Sequence, residues 1–112
     1  VLLVTAGIPV WGGATDEDQT AKEIDHLLVY IGGSTCQFIR NDKTYDAAAA
    51  RSHIQKKYDY IRSRIKTAED FIRYAASQSS MSGKPYRIRC GGETMLCADW
   101  LHAELERYRQ KQ

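Results

Sequence analysis

Residues 65–88, IKTAEDFIRYAASQSSMSGKPYRI, decide how the second half of this chain is built. Thr67 followed three residues later by Asp70 is the pattern of a reciprocal helix cap, and Ala68, Phe71, Ile72, Ala75 and Ala76 then fall on one helical face. Ser77, Ser79, Ser80 and Ser82, with Gly83 and Pro85, end that helix, because hydroxyls compete for backbone partners and proline cannot extend a helix. From Tyr86 the period becomes two: Tyr86, Ile88 and Cys90 face one way while Arg87 and Arg89 face the other, as in a half-buried strand.

Upstream, Ala47, Ala50, Ile54, Tyr58, Ile61 and Ile65 mark the apolar face of a helix starting near Asp46, with Arg51, Lys56, Arg62 and Lys66 toward water. Before it, CQFIR and KTY flank Asn41-Asp42, two residues that tolerate positive φ and suit a tight hairpin turn. A first helix is expected over Ala21, Ile24, Leu27, Leu28 and Ile31, with Asp16 and Gln19 as its capping box and Gly32-Gly33 as its stop. After Gly91-Gly92 a final helix should bury Leu101, Leu105 and Tyr108, with Trp100 beside them. No internal repeat, linker or low-complexity tract is evident. The expected fold is α+β: about four helices packed with a small antiparallel sheet of about three short strands.

With 112 residues, 43% of them apolar, the chain can bury one modest core. Its net charge of +2 makes no demand for a polyanionic partner. Residues 15–46 carry seven acids and three bases, and residues 47–112 thirteen bases and seven acids, an asymmetry that solvated helix faces explain. Residues 1–14, VLLVTAGIPVWGGA, hold no charge and give way abruptly to TDEDQTAKE. An apolar run, a Gly/Pro break and small residues at Gly12 and Ala14 read as the remnant of a secretory signal peptide, leaving 15–112 as a single domain. The run is too short to span a bilayer, and no transmembrane segment is expected.

Export permits disulfides, so Cys36, Cys90 and Cys97 read as one pair and a remainder. Cys36 opens one strand and Cys90 closes another, which favours Cys36–Cys90; Cys90–Cys97 is the competing pairing. The cysteines with His53 or His102 have no C-x-x-C or H-x-x-x-H spacing, so neither a metal site nor a cofactor is expected.

Three ordered blocks carry a resemblance: RNDKTYDAAAARSHIQK at 40–56, TAEDFI at 67–72 and ASQSSMSGKPYRI at 76–88. Together they resemble the YfeK-like family of small exported bacterial proteins of unknown function. The resemblance implies a periplasmic or secreted location and brings no catalytic residue with it. Asp42 departs from the glycine usual in such a turn, and Cys97 stands where a capping serine would be expected.

The serine block invites an enzymatic reading in which Ser80 or Ser82 is the nucleophile and His53 the base, but there is neither a Ser-x-x-Lys nor a Gly-x-Ser-x-Gly pattern. SMSGK is no phosphate loop either. His26, His53 and His102 sit beside apolar helix positions and read as packed or boundary residues. Glu69 and Asp70 suit the first turn of a helix on electrostatic grounds alone. Arg87 and Arg89 on one strand do not make a basic groove, so no nucleic-acid partner is expected. The reading adopted is a non-catalytic binding module for a protein or cell-envelope component, using Ser80, Ser82, Gly83, Lys84, Tyr86, Arg87, Arg89 and the neighbouring hairpin. The alternatives are a small serine hydrolase and an inhibitor of a cell-wall hydrolase such as lysozyme, the latter from the S-G-x-x-Y pattern at Ser82–Tyr86.

Overall fold

Thr15 to Gln112 are described in a computed structural model of the protein; the expected signal remnant, residues 1–14, lies outside them. Helix α1 (Asp16–Gly32) is followed by strands β1 (Gln37–Arg40) and β2 (Lys43–Tyr45) and by α2 (Ala47–Ile61), which runs into a short 3-10 turn. Helix α3 (Ala68–Ala75), strands β3 (Arg87–Cys90) and β4 (Glu93–Leu96) and helix α4 (Cys97–Gln110) complete the order. The sheet is antiparallel throughout, in the order β2-β1-β3-β4. It is an α+β fold, with one more strand than the sequence led us to expect.

That fourth strand corrects the reading of Gly91-Gly92. The two glycines, at φ 57° and 87°, form a two-residue hairpin turn rather than leading directly into the helix. Asn41 and Asp42, at φ 51° and 66°, turn the first hairpin in the same left-handed conformation. The chain therefore repeats one order twice, helix–hairpin–helix, although its sequence shows no repeat. At the join of the halves, β1 pairs with β3 and Phe38 faces Ile88.

Caps follow their chemistry. Thr67 and Asp70 close the expected reciprocal box on α3. For α1 the box is formed by Thr15 and Asp18, not Asp16 and Gln19, because the threonine hydroxyl is the group that reaches the backbone N–H of Asp18. Asp46 caps α2 through the N–H of Ala49.

One apolar cluster joins the helices to the inner face of the sheet. It is built from Ile24, Leu27, Leu28 and Ile31 of α1, Ala47, Ala50, Ile54 and Tyr58 of α2, Ala68, Phe71, Ile72 and Ala75 of α3, Phe38 and Ile88 of the sheet, and Leu101 and Leu105 of α4. Ala21 is exposed, contrary to its place in the expected stripe, and Glu23 is buried instead because Arg109 of α4 pairs with it. Tyr108 is only half-buried and stacks on His26. Trp100 stacks on Tyr30 and meets Phe38 edge-on. Cys36 and Cys90 form a disulfide at the end of the β1–β3 pairing, and Cys97 is a buried free thiol. Among the described residues no helix is long and apolar enough to cross a membrane.

Candidate functional site

The serine loop and the tip of the first hairpin are knitted together. Gln78 bridges to Pro85, and the buried Ser79 exchanges backbone bonds with Gly83 and Lys84. Ser82 Oγ donates to Asn41 Oδ1 at 2.5 Å, and Asn41 Nδ2 donates back to Ser79 Oγ. Lys84 Nζ stands 2.9 Å from Asp42 Oδ2. Gly83, at φ 75°, turns the loop in a conformation that other residues adopt only with strain. Ser77 Oγ donates to the carbonyl of Arg73. Three of the four serines thus serve the backbone or the neighbouring turn; Ser80 is exposed, and beside it Met81 is 97% exposed at the apex.

The structure divides the sequence-derived site residues among three places. Ser80, Ser82, Gly83 and Lys84 belong to this interlocked tip. Arg87 and Arg89 lie on the solvent face of the sheet, where Arg89 reaches Gln37 and Thr94. Tyr86 faces inward and is 5% exposed.

Tyr86 forms one wall of a partly open cavity of about 110 Å³ between the first hairpin and α2. Phe38, Ile39, Ala49, Ala50, Ile54 and Cys97 give it apolar walls; Arg40, Tyr45, His53 and Tyr86 supply its polar groups. The hairpin carries Arg40 and Tyr45 over the first two turns of α2, and helical spacing brings Ala49, Ala50, His53 and Ile54 to that same side. Sequence reasoning named neither Arg40 nor Tyr45 as a site residue, and weighed His53 as a base for serine, a metal ligand or a packed helix residue, not as a cavity group.

His53 Nε2 lies 3.0 Å from the Tyr86 hydroxyl, and Lys57 Nζ lies 3.2 Å from that oxygen and 2.7 Å from the carbonyl of Gln78. An ammonium can only donate, so the Tyr86 oxygen accepts from Lys57, which leaves its own proton available to the Nε2 of a neutral His53. Burial, then the charges of Arg40, Lys57 and Lys56, holds the His53 pKa below its ordinary value, consistent with that neutral ring. Burial and Arg40 likewise lower Lys57. Burial raises the Tyr86 hydroxyl and pushes the Cys97 thiol up to about 12, so neither is an activated nucleophile. His53 thus meets a tyrosine rather than a serine hydroxyl. Among the described residues no group of three or more His, Cys, Asp or Glu is placed to hold a metal ion.

A small α+β domain with helices packed against a disulfide-tied four-stranded sheet, and a cavity lined by one arginine, is the class these features define. The chain belongs to a family of unknown function, DUF5329, whose profile matches residues 18–109. It is 42% identical over 85 residues to the uncharacterized protein YfeK of Salmonella typhimurium, covering 76% of this chain and 68% of that protein. No solved structure matches it significantly.

Proposed function

We propose that the protein is an exported binding module, periplasmic or secreted, that engages a protein or cell-envelope component without catalytic turnover. The observation that carries this reading is the bonding of the serine loop to the hairpin tip through Asn41, Ser79 and Ser82, which fixes one surface with Met81 at its apex. A surface held by its own hydrogen bonds loses little conformational entropy on binding. The Cys36–Cys90 disulfide supports an oxidising compartment.

Inhibition of a cell-wall hydrolase through Ser82–Tyr86 is less well supported, because Tyr86 is turned into the molecule and Lys84 is already paired with Asp42. A serine hydrolase is supported less still, since His53 is engaged by Tyr86.

The test is photo-crosslinking in living cells from position 81, compared with position 60, where Tyr60 is also highly exposed but lies on α2. One discrete adduct from position 81, absent from position 60 and formed by protein in the periplasmic fraction or the medium, supports the reading. Equal or absent adducts from both positions, or protein confined to the cytoplasm with free Cys36 and Cys90, would sink it.

A further inference from the structure

We propose that the cavity between the first hairpin and α2 binds a small carboxylate with a compact apolar body, held by Arg40. This site lies beyond the loop–hairpin tip of the proposed function and does not depend on it.

Three observations converge. First, the charge around the cavity has one sign. Arg40 lines it beside the neutral His53 and Lys57 stands behind Tyr86, while no carboxylate is among its lining residues. Arg40 and Lys57 form no ion pair among the described residues, so nothing there offsets their charge. Cations without a counter-charge repel one another, and the repulsion from Arg40 adds to burial, the larger cause, in holding down the pKa values of Lys57 and His53. An anion relieves it.

Second, Arg40 has donors to spare. Its side chain makes one hydrogen bond among the described residues, from Nη2 to the Tyr45 hydroxyl at 3.1 Å, and its guanidinium lies 5.0 Å from the centre of the Tyr45 ring. A guanidinium has five N–H groups in a planar fork whose geometry matches two carboxylate oxygens. Tyr45 steadies the fork without consuming it. The Tyr45 hydroxyl adds a polar group at the cavity wall.

Third, the rest of the wall is apolar and small. A cavity of about 110 Å³ is somewhat smaller than the roughly 150 Å³ known to admit benzene, so it takes a branched aliphatic group of a few carbons. A phosphate dianion fits poorly, because its further oxygens would be desolvated against Phe38, Ile54 and Ala50 with a single arginine lining the site. A carboxylate puts its two oxygens on Arg40 and its hydrocarbon on those walls. Such a group occurs in free short-chain acids and at the C-terminus of a peptide ending in a small apolar residue.

The experiment is an amide NMR titration of the oxidised protein with four probes: 3-methylbutanoate, 3-methylbutanamide, N-acetyl-alanyl-alanine and its C-terminal amide. The expected result is saturable shifts at Arg40, Ala49, Ala50 and His53 with at least one of the two carboxylates. The matching amide should bind about ten-fold more weakly or worse, as expected when a charge-assisted bond is lost. A free acid alone would identify a small-molecule site and the peptide alone a chain-end site, and either supports the inference. R40Q should weaken binding by a similar factor, with its fold checked by the unchanged amide spectrum of α3, while R87Q on the far face should change nothing. The comparison of acid with amide on the unaltered protein keeps the test decisive should R40Q fold poorly. Absence of binding by both carboxylates at millimolar concentration, equal binding of acid and amide, or shifts centred on Arg87 and Arg89 would overturn it.

Discussion

Ser82 and Asn41, which lie 41 residues apart in the chain, meet in a 2.5 Å hydrogen bond that fastens the serine loop to the first hairpin. Ser82 also accepts from the backbone N–H of Lys84. Replacing it with alanine removes both bonds in a partly solvated site, and S82A should lower stability by about 1 kcal/mol. S80A, which alters an exposed hydroxyl, should leave stability within about 0.5 kcal/mol of the parent. Urea unfolding of the two variants side by side checks this; equal losses would mean that the interlock contributes nothing.

Asp42 holds a left-handed φ of 66°, which costs a non-glycine residue roughly 1 kcal/mol. Its compensation is the ion pair with Lys84, whose side chains are more than half exposed and whose worth is therefore a few tenths of a kcal/mol. The backbone term is the larger, so D42G should stabilise the protein by about 0.5 kcal/mol. A lower melting temperature for D42G at low salt would show that the ion pair outweighs the turn.

Arg109 grips the buried Glu23 with two donors, at 2.9 and 3.0 Å, and Glu69 with two more. R109A would strand Glu23 below α4, and should cost roughly 2 kcal/mol, less than for a fully buried pair because Arg109 itself is partly exposed. E69Q, on the exposed side of the same arginine, should cost about 0.5 kcal/mol or less. Chemical denaturation ranks them, and equal losses would contradict the assignment of burial to Glu23.

His53 is held neutral in the folded protein, with its pKa below the ordinary 6.5. As pH falls through that ordinary value the unfolded chain takes up a proton that the folded chain refuses. Stability must therefore drop as pH falls through 6.5 toward the folded pKa, and then level. The lowered pKa values of Glu23, Glu69 and Glu104 act in a separate window, where stability is lost as pH falls below their ordinary 4.5. Unfolding free energies measured from about pH 7 to 5 should slope in the parent and flatten in H53Q, which keeps an acceptor for Tyr86. An unchanged slope in H53Q would place the titration elsewhere.

The helices were legible because their apolar residues recur at 3.6 and their caps are local: Thr67 with Asp70 and the positive-φ pair Asn41-Asp42 need no tertiary information. Strand β4 was not, since Glu93, Thr94, Met95 and Leu96 are all exposed and show no alternation. The Gly-Gly turn before it was a readable hairpin signal, and a helix beginning at Cys97 obscured it. Glu23 looked like a solvent residue because its partner lies 86 positions away. The cavity could not be read for a similar reason: Arg40, His53 and Tyr86 converge only after the hairpin folds over α2 and β3 pairs with β1.

Each hairpin closes between near neighbours, but the β1–β3 seam joins residues about fifty apart and is the strand pairing with the largest loop to close. A slip of that seam by two residues would keep every side chain on its proper face, so burial alone penalises it weakly. Cys36 and Cys90 sit at the end of the seam with Cα atoms 4.7 Å apart; a two-residue slip would add about 7 Å along the strand and put the sulfurs out of bonding range. Oxidation therefore acts as a proofreading step, sealing only those molecules whose two halves have met in register.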